Sequence, residues 1–173
     1  MAYHSEAAKV RDLPQVMKYI TGKVLDIGCG PDKILSTAVG VDGRDLHGVD
    51  VITDNPYHLA NRTGVNFDTV FSSHFLEHLA NDYEALTEWI SLLKIGGHLV
   101  LYLPCGTKYN NRENEEHMRD IKYDDFMFWF KRCFCGEGKD FRGNNLPKMV
   151  ELIDHATDYG EDRYSFYIIC RRV

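Results

Sequence analysis

The hydrophobic positions of the chain fall into short runs bounded by Gly, Asp and Thr, a pattern that predicts buried β-strands. The predicted strands cover residues 23–27, 38–41, 49–52, 68–72 and 98–103. The last run, HLVLYL, is apolar on both of its alternating faces, which is typical of a strand buried within a parallel sheet.

Other segments place apolar residues at helical spacing, which predicts helices within residues 5–20, 81–94 and 123–134. The first helix has Ser5 as a candidate N-cap and is broken at Pro14, because proline cannot donate a backbone hydrogen bond. The second begins with the capping pair Asn81 and Glu84 and is expected to stop at the glycine pair 96–97.

The end of the chain predicts an antiparallel hairpin formed by residues 148–155 and 164–170. Strands and helices alternate before it, so the predicted fold is a three-layer α/β sandwich with a mostly parallel sheet. A length of 173 residues fits one domain over residues 1–173. The polar segment 104–121 beside the sheet is a natural substrate lid.

Two connections between predicted parallel strands are unusually short. Residues 31–37 separate the first two strands, and residues 43–48 separate the second and third. Parallel strands need a crossover of about a dozen residues, usually helical. We therefore expect either a sheet that is trimmed at its second and third strands or a stub at residues 49–52 that pairs loosely.

The composition narrows the classes of function. A net charge of −6 provides no overall positive field for nucleic acid or anionic membranes. The composition leaves one alternative, a local basic patch for a polyanion. Its candidate residues are Lys131, Arg132, Lys139, Arg142 and Lys148. Five cysteines at irregular spacings favour reduced thiols in a cytoplasmic protein. The sequence has neither a signal-peptide pattern nor the roughly 18 consecutive apolar residues of a membrane span.

The first predicted strand leads into a glycine-rich turn, VLDIGCGPD, over residues 24–32. Gly28 and Gly30 allow a ligand to approach the backbone at the sheet edge where α/β proteins bind ligands. Asp26 precedes the glycines, and Asp32 is expected in the first turn of a following helix. Carboxylates at these positions repel a pyrophosphate and attract a sulfonium or an ammonium group.

A dinucleotide-binding turn would carry a third glycine, and Lys33 stands there instead. This substitution disfavours an NAD-dependent oxidoreductase, the first rival interpretation. Asp42 ends the second predicted strand, where its carboxylate can accept both hydroxyls of a ribose. A carboxylate at that position can bind the ribose of any nucleoside ligand, so Asp42 by itself does not identify the cofactor.

Five segments, in this order, resemble the class I S-adenosylmethionine-dependent methyltransferases, in particular the small-molecule-type methyltransferase domain. They are VLDIGCG (24–30), VGVDGRD (39–45), VDVITD (49–54), FDTVFSSHFLEHL (67–79) and LLKIGGHLVLYLP (92–104). The resemblance implies the seven-stranded methyltransferase sheet, whose last strand is antiparallel. It also implies S-adenosylmethionine as the cofactor.

The resemblance further implies roles for single residues around the cofactor. The methionine end would be lined by Asp26, Gly28, Gly30 and the backbone of Cys29. The ribose diol would bind to Asp42.

At the third and fourth strands the implied contacts continue. Asp54 would receive the adenine amino group, with Asn55 beside the ring. Ser72 and Ser73 would meet the cofactor's amino group or face the methyl group. His74 would stand at the mouth of the acceptor pocket, where it is the candidate catalytic base.

Three further groups attract attention for their chemistry. Glu77 and His78 form either a catalytic pair or, as we favour, structural contacts. His117 in the polar segment is either a general base or, as we favour, a solvated loop residue. Cys133 and Cys135 lack a second pair at ligand spacing, so no metal site is predicted.

The expected activity is methyl transfer to a small-molecule, sugar or lipid-linked acceptor, with nucleic acid disfavoured as a partner. Such a reaction depends mainly on holding donor and acceptor in line. The shortened connections keep open a second rival, a non-enzymatic methyltransferase-like module that binds a partner or regulates it.

Overall fold

The computed structural model describes residues 6–108, 117–160 and 163–173. Its strands are β1 (Val24–Ile27), β2 (Val39–Asp42), β3 (Val51–Ile52), β4 (Phe67–Ser73), β5 (Leu93–Pro104), β6 (Val150–Gly160) and β7 (Arg163–Arg172). Within the described residues they form one seven-stranded sheet in the order β3-β2-β1-β4-β5-β7-β6. Strands β1 to β5 pair in parallel, whereas β7 is antiparallel to β5 and β6. The predicted fold class and C-terminal hairpin are confirmed.

The helices of the described residues are α1 (Glu6–Arg11), α2 (Pro14–Met17), α3 (Ala60–Thr63), α4 (Asp82–Leu92) and α5 (Tyr123–Phe134). A short 3-10 turn covers Leu76–His78. The predicted break at Pro14 is confirmed, and Ser5 lies outside the described residues. None of these helices has the length and apolar character needed to cross a membrane.

Helix α4 begins as predicted, with the Asn81 side chain accepting a hydrogen bond from the Glu84 backbone N–H at 3.2 Å. Its predicted end at Gly96 and Gly97 is wrong, because the helix stops at Leu92. Leu93 already belongs to β5, where it is buried and pairs with Phe67 of β4. The sheet pairing therefore takes over before the glycines are reached.

The short connections around β2 contain turns and bends but no helix. The helix expected after the glycine turn is therefore absent, and Asp32 lies in a turn where it accepts a hydrogen bond from Arg11 at 2.7 Å. Asp50 holds the two connections together by accepting bonds from the Lys33 ammonium at 2.8 Å and the Gly40 N–H at 2.7 Å. Of the two predicted alternatives the described residues show the stub, since the sheet includes β3 but that strand has only two residues.

The sheet separates two apolar clusters. The larger cluster packs β1, β4 and β5 against α4 and α5, with Trp89, Phe130 and Phe134 fully buried. The smaller cluster packs the other face against α1 and α2 and the connection between β1 and β2, where Val10 and Ile34 are buried. Together the layers fix the carboxyl ends of β1, β2 and β4 along one edge.

Candidate active site

The glycine turn lies at this edge and is held against β2. The backbone N–H groups of Gly28 and Cys29 both donate to the Val41 carbonyl, at 2.8 and 3.1 Å. Gly28 has a φ of +73° and Gly30 a φ of +54°, a region that favours glycine. The two positions differ in their surroundings, because a Cβ on Gly28 would collide with Phe75 whereas a Cβ on Gly30 would meet only the Arg44 guanidinium at 3.9 Å. There is therefore room for a Cβ at Gly30, which is itself buried, but none at Gly28, which is half-buried.

Asp26 is buried beneath this turn. Its carboxylate accepts a hydrogen bond from the Ile34 N–H at 2.6 Å, so it ties β1 to the connection that follows the glycines. Burial raises the pKa of Asp26 to about 7, despite that hydrogen bond and the nearby Lys33 charge. The carboxyl group is thus a structural element of the turn as well as a predicted cofactor contact.

Cys29 is buried between the glycines and packs on β2. A Cβ on Gly40 would lie 2.8 Å from its sulfur, so Gly40 makes room for the thiol. Burial and the neighbouring Asp26 and Asp42 raise the pKa of the Cys29 thiol to about 12. A neutral, enclosed thiol fits the prediction that Cys29 contributes its backbone.

Asp42 connects the end of β2 to the glycine turn. One carboxylate oxygen accepts from the Gly30 N–H at 2.9 Å, and the other accepts from the backbone and Nε of Arg44, each at 3.0 Å. Burial alone would raise the pKa of Asp42, but the bonds from Arg44 and Gly30 outweigh it and hold the pKa below its usual value. An ionised carboxylate therefore stands where the ribose contact is predicted.

Asp54 and Asn55 lie just beyond β3 and are exposed. The backbone of Asp54 passes beside Gly43, next to Asp42. The Asn55 side chain accepts a bond from the Tyr57 N–H at 3.1 Å, which forms a local turn. Both residues border the same sheet edge as the glycine turn, on its solvent side.

The serine pair at the end of β4 divides into two environments. Ser72 is fully buried and donates to the Ile27 carbonyl at 2.9 Å, which links β4 to β1. The Ser73 hydroxyl is also shielded from solvent, yet no described residue gives it a hydrogen-bond partner. A buried polar atom left without a partner is unfavourable and is suited to a bound ligand.

His74 follows Ser73 with a φ of +47° and is enclosed by other elements. Its Nε2 lies 2.8 Å from the Ser165 hydroxyl and 3.5 Å from the Glu6 carboxylate. Burial and the nearby Lys9 charge lower the pKa of His74 to about 3. The ring is therefore neutral near pH 7 and is a weak base.

Sequence reasoning missed the contacts of His74 with Glu6 and Ser165. The two residues come from α1 and β7, at opposite ends of the chain, and only the folded sheet brings them together. The pattern carried no signal for this contact.

A second group of polar side chains lies immediately after His74. Glu77 Oε1 is 3.8 Å from His78 Nε2 and 3.9 Å from His117 Nε2. The expectation that His117 is a solvated loop residue is wrong, because its side chain is only 5% exposed. It is held there because the Met118 N–H donates to the Glu77 carbonyl at 3.1 Å.

The cysteines predicted not to form a metal site lie at the end of α5. Burial raises the pKa of both Cys133 and Cys135, the latter to about 11. In the described parts of the chain, the three-residue group with metal-binding spacing is the one formed by Glu77, His78 and His117.

An open cleft of about 430 Å³ lies between α5 and the segment before it. Its lining includes the Arg119 side chain and the aromatic rings of Phe126 and Trp129. No residue of the glycine turn lines it, so the cleft is separate from the turn itself.

Comparison with known proteins relates this architecture to a family. Residues 6–135 match the model of a family described as a methyltransferase domain. No curated protein matches the chain at a significant level.

Solved structures share the fold. A SAM-dependent methyltransferase from Archaeoglobus fulgidus is 18% identical, over 96% of this chain and 94% of that chain, with a TM-score of 0.63. The N-methyltransferase NodS from Bradyrhizobium japonicum, solved with S-adenosyl-L-homocysteine, is 12% identical over 98% and 89%, with a TM-score of 0.66. An rRNA methylase from Streptococcus thermophilus is 10% identical over 100% and 99%, with a TM-score of 0.56.

Proposed function

The chain belongs to the methyltransferase-domain family, as an S-adenosylmethionine-dependent methyltransferase, and we propose that its acceptor is a small molecule, a sugar or a lipid-linked glycan precursor. The observation that carries the proposed donor site is the ionised Asp42 bound to Gly30, where a Cβ would have no neighbouring atom closer than 3.9 Å. Together they offer an acceptor for ribose hydroxyls and a backbone that a ligand can approach closely.

The residues of the edge fit the donor in charge as well as in shape. S-adenosylmethionine, when bound, supplies an electrophilic methyl group on a positively charged sulfur. The ionised carboxylate of Asp42 would attract such a cation and would repel the pyrophosphate of NAD, whereas Asp26 is protonated up to about pH 7 and Asp32 is paired with Arg11. In this proposal Asp26, Gly28, Gly30 and the Cys29 backbone hold the methionine end, Asp42 holds the ribose, and Ser73 offers its buried hydroxyl.

The remaining contacts of the proposed site follow the sheet edge. Asp54 and Asn55 border the adenine from the solvent side, and Ser72 keeps β4 in register behind the site. Positioning supplies most of the rate, because orienting two reactants can contribute roughly 7–11 kcal/mol. His74 remains the candidate proton acceptor, although its enclosed ring is suited better to orienting the acceptor than to strong base catalysis.

The acceptor class is supported by charge. A net charge of −6 favours a small acceptor over a polyanion. The rRNA methylase from Streptococcus thermophilus has a similar fold, so the fold by itself does not separate these classes. The discriminating readout is turnover with a panel of hydroxyl and amine acceptors against turnover with RNA.

A non-enzymatic module is the second candidate. It is favoured by the absence of a described helix between β1 and β2 and between β2 and β3. Isothermal titration calorimetry with S-adenosylmethionine separates the two, with NAD titrated in parallel. We expect micromolar binding of S-adenosylmethionine, at least tenfold weaker binding by Asp42→Ala, and no binding of NAD. The matched control is Asp45→Ala, which removes a neighbouring exposed acid and should leave the affinity unchanged.

Absence of binding to S-adenosylmethionine by a folded wild-type protein would favour the non-enzymatic module. Binding of NAD instead would restore the oxidoreductase. Equal loss of affinity in the Asp42 and Asp45 variants would show that general charge, rather than the ribose contact, governs binding.

A further inference from the structure

Glu77 has a buried carboxylate that receives no hydrogen bond from the described residues around it. Its side chain is 0% exposed, and neither of its oxygens has a hydrogen-bond partner among the described residues. Buried carboxylates in proteins are normally paired, hydrogen-bonded or bound to a metal. The position therefore calls for a ligand that supplies positive charge.

Two imidazoles converge on the same oxygen of this carboxylate. The Nε2 atoms of His78 and His117 lie 3.8 and 3.9 Å from Glu77 Oε1, and all three ligand atoms lie within 4.8 Å of one another. These separations are too long for hydrogen bonds. Ligands of a tetrahedral zinc ion, bound at 2.0–2.2 Å, lie roughly 3.4 Å apart. The separations exceed this spacing, so one ion would fit the gap between the three groups after a small inward movement of their side chains.

The framework around the gap is held in place from both sides. The segment after His117 is fixed by the bond from the Met118 N–H to the Glu77 carbonyl and by Arg119, which donates to the Leu76 carbonyl at 3.0 Å. The Arg119 guanidinium also forms an ion pair with Asp82. The Arg119 charge also acts on Glu77, although no described group donates a hydrogen bond to that carboxylate.

We propose that Glu77, His78 and His117 bind one divalent transition-metal ion, and that zinc is the ion this set suits. Two imidazoles and a carboxylate favour zinc over magnesium or calcium, which prefer oxygen ligands alone. Three protein ligands leave a fourth position of a tetrahedral ion open, as in catalytic zinc sites. The site is distinct from the glycine turn, yet close to it, because the Phe75 ring that covers Gly28 lies 6.5 Å from the His78 ring.

The open position indicates the acceptor class, and this step rests on the proposed methyltransferase function. Glu77 Oε1 is 4.0 Å from Nδ1 of His74, so the ion would lie beside the predicted acceptor pocket. An acceptor hydroxyl bound to the ion would lose its proton to solvent water as its O–H bond breaks. The oxygen would keep the electron pair and become a stronger nucleophile. The expected acceptor is therefore a hydroxyl compound, methylated on oxygen.

The test is calorimetric titration of the full, chelator-treated chain with zinc chloride, without donor or acceptor. We expect one ion per chain, and at least tenfold weaker binding by His117→Ala and by His78→Ala. His58→Ala is the matched control, because it removes an exposed histidine and should retain the wild-type affinity. The double variant Cys133→Ser, Cys135→Ser should also retain it.

Cobalt(II) substitution of the wild-type protein provides a second readout that does not depend on a variant's folding. Four-coordinate d–d bands without a thiolate charge-transfer band are expected from nitrogen and oxygen ligands. Circular dichroism checks that each variant is folded. Wild-type affinity in folded His117→Ala, or no stoichiometric binding by the wild type, would overturn the proposal and leave a gap filled by water.

Failure of the metal site and failure of the proposed function give different results. S-adenosylmethionine binding by the chelated protein tests the donor site alone. If the protein binds S-adenosylmethionine but not zinc, the metal proposal alone is wrong. Zinc binding without donor binding would leave the metal site standing in a protein of another function.

Discussion

The Phe75 ring packs directly against Gly28, so that a Cβ at position 28 would lie 2.3 Å from Phe75 Cγ. The residue after His74 therefore covers the glycine turn at Gly28, while there is room for a Cβ at Gly30. Positive φ favours glycine at both positions, but only at position 28 would a Cβ also collide with a neighbouring side chain. Substitution of Gly28 should therefore mainly lower stability, whereas substitution of Gly30 should mainly weaken ligand binding.

Gly28→Ala should destabilise the protein strongly, because it adds a collision to a backbone conformation that alanine disfavours. Overpacking costs about 1–3 kcal/mol and the backbone about 1–2 kcal/mol more. Gly30→Ala should cost only the backbone part but weaken S-adenosylmethionine binding at least tenfold. Urea denaturation and calorimetry measure the two effects, and equal stability of the two variants would contradict this difference between the two positions.

The serines at the end of β4 provide a second matched pair. Ser72→Ala should lower the free energy of unfolding by about 1 kcal/mol, since it removes the bond to the Ile27 carbonyl. Ser73→Ala should leave stability unchanged or slightly higher, because its hydroxyl has no partner among the described residues, and should weaken donor binding severalfold. Unchanged donor affinity in Ser73→Ala would remove Ser73 from the proposed site.

Asp26 should make stability depend on pH. The folded protein keeps a proton on Asp26 up to about pH 7, whereas the unfolded chain releases it near pH 3.8. Between these values the unfolded state binds fewer protons, so this group lowers stability as pH rises. The stability of wild type relative to Asp26→Asn should fall by roughly 2–3 kcal/mol from pH 5 to pH 8. Urea titrations at both pH values check this, and a constant difference would refute the raised pKa.

Replacement of His74 should reduce turnover only modestly. Its ring already contacts Ser165 and Glu6, and asparagine tolerates the positive φ at this position. His74→Asn should therefore retain turnover within about tenfold of wild type, with an unchanged donor affinity. General bases contribute typically 10²–10⁴-fold. A loss of that size in steady-state assays, with a folded variant, would instead establish His74 as the base.

Much of the fold was accessible from the sequence because its signals are local. The apolar runs of β1, β4 and the C-terminal hairpin, and the cap at Asn81, each lie within a few residues. The start of β5 at Leu93 was not accessible, because it depends on pairing with Phe67 across the sheet. Sheet pairing at that point overrides the helical pattern.

The same distinction applies to the candidate site. The glycine turn and Asp42 were found because each ends a recognisable strand. The burial of His117 was missed because it depends on a contact between Met118 and Glu77, which are far apart in sequence. The packing of Phe75 on Gly28 likewise exists only after β1 and β4 pair.

The two-residue strand β3 and the helix-free connection that precedes it affect how products leave the site. Asp54 and Asn55, which border the proposed adenine position, are exposed, and the helix that contacts this end, α3, has only four residues and reaches β3 through Arg62, which donates to the Ile52 carbonyl at 3.4 Å. We expect S-adenosylhomocysteine to dissociate sideways and quickly, so that product inhibition is weak. The same opening should admit donor analogues that carry bulky groups on the adenine ring, and these groups would leave with the S-adenosylhomocysteine product because only the methyl group is transferred.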